Sequence, residues 1–142
     1  MTALTDLFAA PATAPGPRAS VEGAPRVLLR LEGAVVLAAA VAAYASFGSG
    51  WLLFALTFLA PDLAFVGYLG GPPTRAGAYN ATHSYLGPAL LGAIGLAAGA
   101  PLAVSLALIW AGHVGFDRML GYGLKYGSSF GFTHLGRVGK GA

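Results

Sequence analysis

Residues 76–116 read AGAYNATHSYLGPALLGAIGLAAGAPLAVSLALIWAGHVGF, a run without a single Asp, Glu, Lys or Arg. A membrane-spanning helix needs about 20 mostly apolar residues, so this run is long enough for two spans. It divides at Gly99-Ala100-Pro101, where glycine and proline punctuate the apolar pattern as turn residues do. A second uncharged run, Gly33–Pro61, divides in the same way at Gly48-Ser49-Gly50. Together the two runs predict four helices, at about 27–47, 51–70, 77–98 and 101–121. The fold class is all-α, a four-transmembrane-helix bundle. Barrel strands would show about 10 residues of alternating polarity, and nothing here alternates.

Composition agrees with that reading. Only 9% of the 142 residues are charged and the mean hydropathy is +0.70, whereas a soluble domain carries about 25% charged residues. The bilayer is therefore the expected partner. Residues 1–25 are rich in Pro, Ala, Thr and Gly and predict a disordered N-terminal tail. The transmembrane domain is expected over 26–121, and 122–142 form an interfacial C-terminal segment. Met1–Ala10 contains no Lys or Arg, unlike the basic start of a signal peptide, so helix one reads as a retained anchor.

The chain has no cysteine, which excludes disulfides, thiolate metal sites and a catalytic thiol. Its formal net charge of +3 comes from basic residues near the membrane boundaries and not from one soluble face, which argues against nucleic-acid binding. Arg18, Arg26 and Arg30 lie at the N-terminal end, Arg75 in the middle connection, and Arg118, Lys125, Arg137 and Lys140 at the C-terminal end. With four spans these three regions share one side, and the positive-inside rule makes it the cytoplasm. Both termini are expected there.

Each apolar stretch nevertheless holds polar or ionisable residues: Glu32, then Asp62, then Asn80 and His83, then His113, Asp117 and Arg118. A charge at the bilayer centre costs roughly 2.5–3.5 kcal/mol, so several kept in one small protein indicate a shared site. At 1.5 Å of rise per residue they fall roughly 6–12 Å below the same membrane face. His113 and Asp117 share a helix face at i,i+4, as do Asn80 and His83 at i,i+3. Pro61 removes a backbone donor beside Asp62 and predicts a kink or break in helix two. Gly95 and Gly99, with Gly92, Gly112 and Gly115, have the spacing that lets membrane helices approach closely.

Imidazole nitrogens with carboxylate oxygens suit a divalent metal such as Zn, Mn or Fe. The expected ligands are Asp62, His83, His113 and Asp117, with Glu32 as a further ligand or general base and Asn80 as a supporting hydrogen-bond partner. Arg118 is expected to hold an anionic group such as phosphate, and His134 is a candidate third imidazole. The expected activity is metal-assisted hydrolysis of a lipid-like or phosphate-containing substrate. Three alternatives remain open on the sequence: a buried network in which Asp62 or Glu32 neutralises Arg118, haem held axially by His83 and His113, and a transporter or proton-coupled protein using the same groups as a relay. Di-iron chemistry of the ferritin type lacks its repeated Glu-x-x-His spacing here.

Four motifs carry a family resemblance: Leu59-Ala-Pro-Asp-Leu63, Tyr79-Asn-x-x-His83-x-Tyr85, His113-x-Gly-x-Asp117-Arg118 with Gly121-Tyr-Gly-Leu-Lys-Tyr126, and Thr133-His-Leu-Gly136. Over about Val27 to Lys140 the chain resembles a small bacterial integral-membrane family, domain of unknown function 4260. That resemblance implies the bacterial inner membrane and no particular activity. A weaker likeness is to membrane-bound metal-dependent hydrolases, through Pro61-Asp62, Thr82-His83-Ser84 and His113 with Asp117. The chain departs from their pattern at Ala64, where an Asp is expected, and at Asn80, where a His-Arg pair is expected before His83.

Overall fold

A computed structural model describes residues 20–63, 72–126 and 132–137. The fold is mostly helical. In chain order it comprises α1 (Gly23–Phe47), α2 (Trp51–Thr57), α3 (Pro72–Thr82), α4 (Leu86–Ala97) and α5 (Pro101–Leu120), followed by two short strands, β1 (Phe132–Thr133) and β2 (Gly136–Arg137). Most of the expected N-terminal tail lies outside the described residues, and α1 begins at Gly23 instead of 27.

Helix α5 is the axis of the molecule, with α1 on one flank and α4 on another. Pro101 stands at its first position, where a missing N–H costs nothing. Gly121 ends it with φ +97°, and the Gly121 and Tyr122 amides close the last turn on the Arg118 and Asp117 carbonyls. The α1 contact depends on two facing glycines. A Cβ at Gly33 would lie 2.8 Å from the Gly115 carbonyl oxygen, and one at Gly115 would lie 2.8 Å from the Gly33 oxygen and the Leu37 nitrogen. Gly92 and Gly95 serve the α4–α5 contact, where Cβ atoms would meet Ala107 and Ala103. Gly99 does not: its φ of +61° makes it a turn residue with open space around it, so the expected Gly95–Gly99 packing pair is corrected to Gly95 alone.

Two of the expected helices are interrupted. Helix two does not run from 51 to 70 as one α-helix; α2 ends at Thr57, a 3-10 turn covers 60–63, and 64–70 lie outside the described residues. Pro61 cannot donate to the previous turn, and the Asp62 amide bonds instead to Leu59 three residues back, at 3.1 Å. The expected helix 77–98 is two helices separated at 83–85. Pro88 explains this break, because it lacks the amide that would have bonded Ser84; it sits in the first turn of α4, where proline is tolerated. Side chains from α5 take the freed carbonyls: Trp110 Nε1 donates to Thr82 O at 2.6 Å and Arg118 Nη2 to His83 O at 3.0 Å.

The C-terminal segment is not purely irregular. β1 and β2 pair antiparallel through Phe132–Arg137 and Thr133–Gly136, and Lys125 bridges to Thr133. His134 joins this hairpin to the residues before α1 and to those after α5, its carbonyl accepting from Val21 N at 2.8 Å and its amide donating to Leu124 O at 3.1 Å.

The core holds Tyr44, Ile109, Val114 and Leu135, yet many large apolar side chains lie outside it. Val27, Leu28, Leu31 and Val35 of α1, Leu52 and Leu56 of α2, and Leu86, Leu90 and Ile94 of α4 are exposed, while His83 and His113 are buried. Among the described residues one helix, α1, is long and apolar enough to cross a membrane, and only 17% of its apolar window is buried.

The glycine contact gives a test. Gly115→Ala places its new methyl against backbone on both sides and forces α1 from α5, an overpacking cost of about 1–3 kcal/mol. Gly77→Ala, in open space on α3, gains helix propensity. Melting in detergent is expected to show the first variant lower than wild type and the second equal or higher.

Candidate metal centre

Four side chains from three elements converge beside the breaks. Asp62 comes from the 3-10 turn after α2, His83 from the end of α3, and His113 and Asp117 from one face of α5. One donor atom from each lies within 4.8 Å of all the others. His83 Nε2 is 3.1 Å from Asp62 Oδ1, 3.5 Å from Asp117 Oδ2 and 3.3 Å from His113 Nε2; His113 Nε2 is 3.5 Å from Asp62 Oδ1.

Those separations fit a central ion. Donors held at about 2.0–2.1 Å in a tetrahedron stand roughly 3.3–3.4 Å apart, in the middle of these four distances; His113 and Asp117 are beyond ion-pair distance of each other, and the set as a whole lies within 4.8 Å. The tautomer of His83 strengthens the fit. Its Nδ1 lies 3.0 Å from the Tyr79 carbonyl and 2.9 Å from Thr82 Oγ1. A carbonyl only accepts, so Nδ1 carries the hydrogen and Nε2 presents a lone pair toward two carboxylates. Lone pairs from three acceptors in a buried site repel unless a proton or a cation stands between them. A divalent ion balances two carboxylate charges.

The surroundings fix the rings. Tyr79 stacks on His83 at 3.8 Å between centroids and 11° between planes, and its hydroxyl donates to Asp117 Oδ2 at 3.3 Å. Phe58 meets His113 edge-on at 5.5 Å. His113 Nδ1 is buried with no hydrogen-bond partner among the described residues, so this ring, unlike His83, has no second hydrogen bond there to fix its tautomer. Both imidazoles are about 1% exposed, Asp117 is 15% exposed and Asp62 35%, which places the open edge of the cluster at Asp62. An open apolar pocket of about 330 Å³ has Pro61 and Thr82, the chain neighbours of Asp62 and His83, in its wall with Ile109 and Trp110, and none of the four converging groups lines it.

The other residues expected at the site take different places. Glu32 is exposed on α1 and is not one of the four converging groups. Asn80 forms a reciprocal pair with the Lys125 backbone, donating from Nδ2 to Lys125 O at 2.9 Å and accepting from Lys125 N at 2.7 Å. His134 accepts the Leu124 amide at Nδ1, 2.9 Å away, and is likewise outside the group of four. Arg118 donates to the carbonyls of Tyr122 and His83 and has no carboxylate within ion-pair distance among the described residues. The expected neutralisation of Arg118 by Asp62 or Glu32 is therefore corrected. So is axial haem ligation, since two imidazoles on one haem iron stand about 4 Å apart, farther than the 3.3 Å here, and Asp62 fills the space between.

Tyr79, Thr82 and Trp110 were given no place at the site by sequence reasoning, and Lys125 was read only as a basic residue of the C-terminal segment. Tyr79 could have been found from its i,i+4 relation to His83. Trp110 and Lys125 act across long sequence separations that no local spacing reveals. The Lys125 ammonium lies 3.9 Å from the centre of the Tyr79 ring. Burial pushes it down to about 8, against the attraction of Asp117 and Asp62. Burial and the Arg118 charge likewise hold His134 below the usual imidazole range.

Because folding lowers the Lys125 value from 10.5, the charged form opposes the native state below pH 8, and this opposition lifts as pH rises from about 8 toward 10.5. Melting temperature is expected to rise between pH 7.5 and 9.5 in the wild type and to rise less in Lys125→Met. Equal pH slopes would contradict the burial of this ammonium.

Neither the curated proteins nor the solved structures contain a match to the chain. A family model described as Domain of unknown function (DUF4260) matches residues 26–138. That match covers α1 from Arg26 onward, the other four helices and both strands, and the chain belongs to this family.

Proposed function

We propose that this protein is a multi-pass membrane protein that binds a divalent metal in the cytoplasmic half of its bundle and uses it to hydrolyse a lipid-like or phosphate-containing substrate. The observation that carries the metal is the donor set of Asp62, His83, His113 and Asp117, whose donor atoms gather within 4.8 Å of one another and are supported from behind by Tyr79. Zn, Mn and Fe suit two imidazoles and two carboxylates. The apolar residues exposed along α1, α2 and α4 favour a bilayer around the bundle. The start of α1 and the end of α5 lie together, joined by Arg30 Nε donating to Met119 O at 2.8 Å, so the basic residues of both termini share one side, as the positive-inside rule asks of a cytoplasmic face.

A metal bound there would polarise a water or a substrate oxygen. His83, His113 and Asp117 are its buried holders. Asp62, the least buried of the four, would complete the set and is the carboxylate placed to take a proton from a water on its open side. The cavity beside Pro61 and Trp110 offers apolar wall for an alkyl portion of the substrate.

Elemental analysis of the purified wild type is expected to find about one Zn, Mn or Fe per chain, and His83→Ala and His113→Ala are expected to lose it. Added metal should raise the melting temperature of the wild type alone. A metal-free wild type whose melting ignores all three ions would defeat the proposal. Metal retention in Asp62→Asn with phosphate release from a lipid phosphate abolished would support the hydrolytic step; proteoliposome flux lost in the same variant, without any release, would assign the site to transport instead.

A further inference from the structure

Away from the metal cluster, two guanidinium groups gather at the C-terminal end of α5. Arg26 and Arg30 stand one turn apart on α1, on the same face. Both reach Gly121, the residue that ends α5: a Cβ there would lie 3.9 Å from Arg30 Nε and 4.0 Å from Arg26 Nη2. Arg26 is also laid flat on the hairpin, with its Cζ, Nη2 and Nη1 3.0, 3.1 and 3.3 Å from the position a Cβ would take at Gly136. Gly121 and Gly136 both have positive φ, +97° and +122°, so each turn excludes the side chain that would block the guanidinium.

Capping of α5 accounts for only one of the pair. Arg30 Nε donates to the free Met119 carbonyl at 2.8 Å, and the negative end of the helix dipole attracts both cations. The Arg26 guanidinium makes no hydrogen bond among the described residues, and its Nε is buried without a partner there. Neither arginine has a carboxylate within ion-pair distance there, not even Glu22, one turn before Arg26. An arginine wedged against backbone, with its planar fork unanswered, is shaped for an oxyanion. The surface beside it identifies the source. Val27, Leu28 and Leu31 are exposed on α1, 57–58% each, and Leu120 and Tyr122 are exposed at the end of α5. A free anion has no use for such a surface, whereas an amphiphile does.

We propose that Arg26 and Arg30 bind the phosphate of an anionic bilayer lipid, with its acyl chains along Val27, Leu28 and Leu31. The site rests on the membrane reading of the chain and is independent of the metal. It ties α1, the end of α5 and the hairpin to the cytoplasmic leaflet, where anionic lipids attract basic groups.

The test uses the purified full chain in detergent, titrated with phosphatidylglycerol, phosphatidylcholine or inorganic phosphate while melting is followed, with native mass spectrometry counting retained lipid. Phosphatidylglycerol is expected to raise the melting temperature and to remain bound, and the other two are expected to do neither. Arg26→Gln, which sacrifices no hydrogen bond within the fold, should weaken phosphatidylglycerol binding about tenfold. Arg26→Lys should recover only part of that loss. An unchanged response in Arg26→Gln would overturn the proposal, and so would an equal shift from inorganic phosphate, which would assign the site to a free anion. Flotation with phosphatidylcholine vesicles separates the two readings: a chain that floats yet does not distinguish the lipids contradicts this site alone, and a chain that fails to float contradicts the membrane reading beneath it.

Discussion

The hydrogen bond from His83 Nδ1 to the Tyr79 carbonyl is the contact on which the site depends. It fixes which nitrogen of the ring is bare, and through that ring it fixes what Asp62, His113 and Asp117 face. The ring can occupy this place because α3 ends at Thr82, and α3 can end there because Trp110 and Arg118 of α5 accept the burden of its free carbonyls. A continuous helix through 83–85 would have used those carbonyls internally. Breaks in apolar helices are tolerated where the freed groups find partners, and here the partners come from the same helix that supplies His113 and Asp117.

Packing and chemistry therefore meet on α5. One face of it carries Gly115, whose lack of a side chain lets α1 approach to backbone contact. Its last two turns carry two of the four donor groups, and its end is closed by Gly121 and covered by arginines from α1. The hairpin then folds back, with Lys125 held to Asn80 and lying over Tyr79. Each layer supports the one beneath it, from Lys125 to Tyr79 to His83, so groups far apart in sequence position the same imidazole.

Much of this was legible in the sequence. The uncharged runs and their Gly-Pro punctuation located the end of α1 and both ends of α5 to within a residue, although α1 begins four residues earlier than expected, and Pro61 announced the break that frees Asp62. The donor set Asp62, His83, His113 and Asp117 followed from helical spacing and depth. Other features were not legible, for physical reasons. Depth places Glu32 at the right level but says nothing about direction around the helix, and Glu32 points outward. The α3–α4 break was hidden because the apolar pattern continues across it; Pro88 was its one local signal. The pairing of Asn80 with the Lys125 backbone joins positions 45 residues apart, which only a folded chain brings together.

The most direct measurement of the central claim is X-ray absorption at the edge of the metal that copurifies with the protein. The account predicts nitrogen and oxygen donors at about 2.0–2.1 Å, with outer-shell scattering from two imidazole rings. A shell of oxygen donors alone, without imidazole scattering, would contradict it.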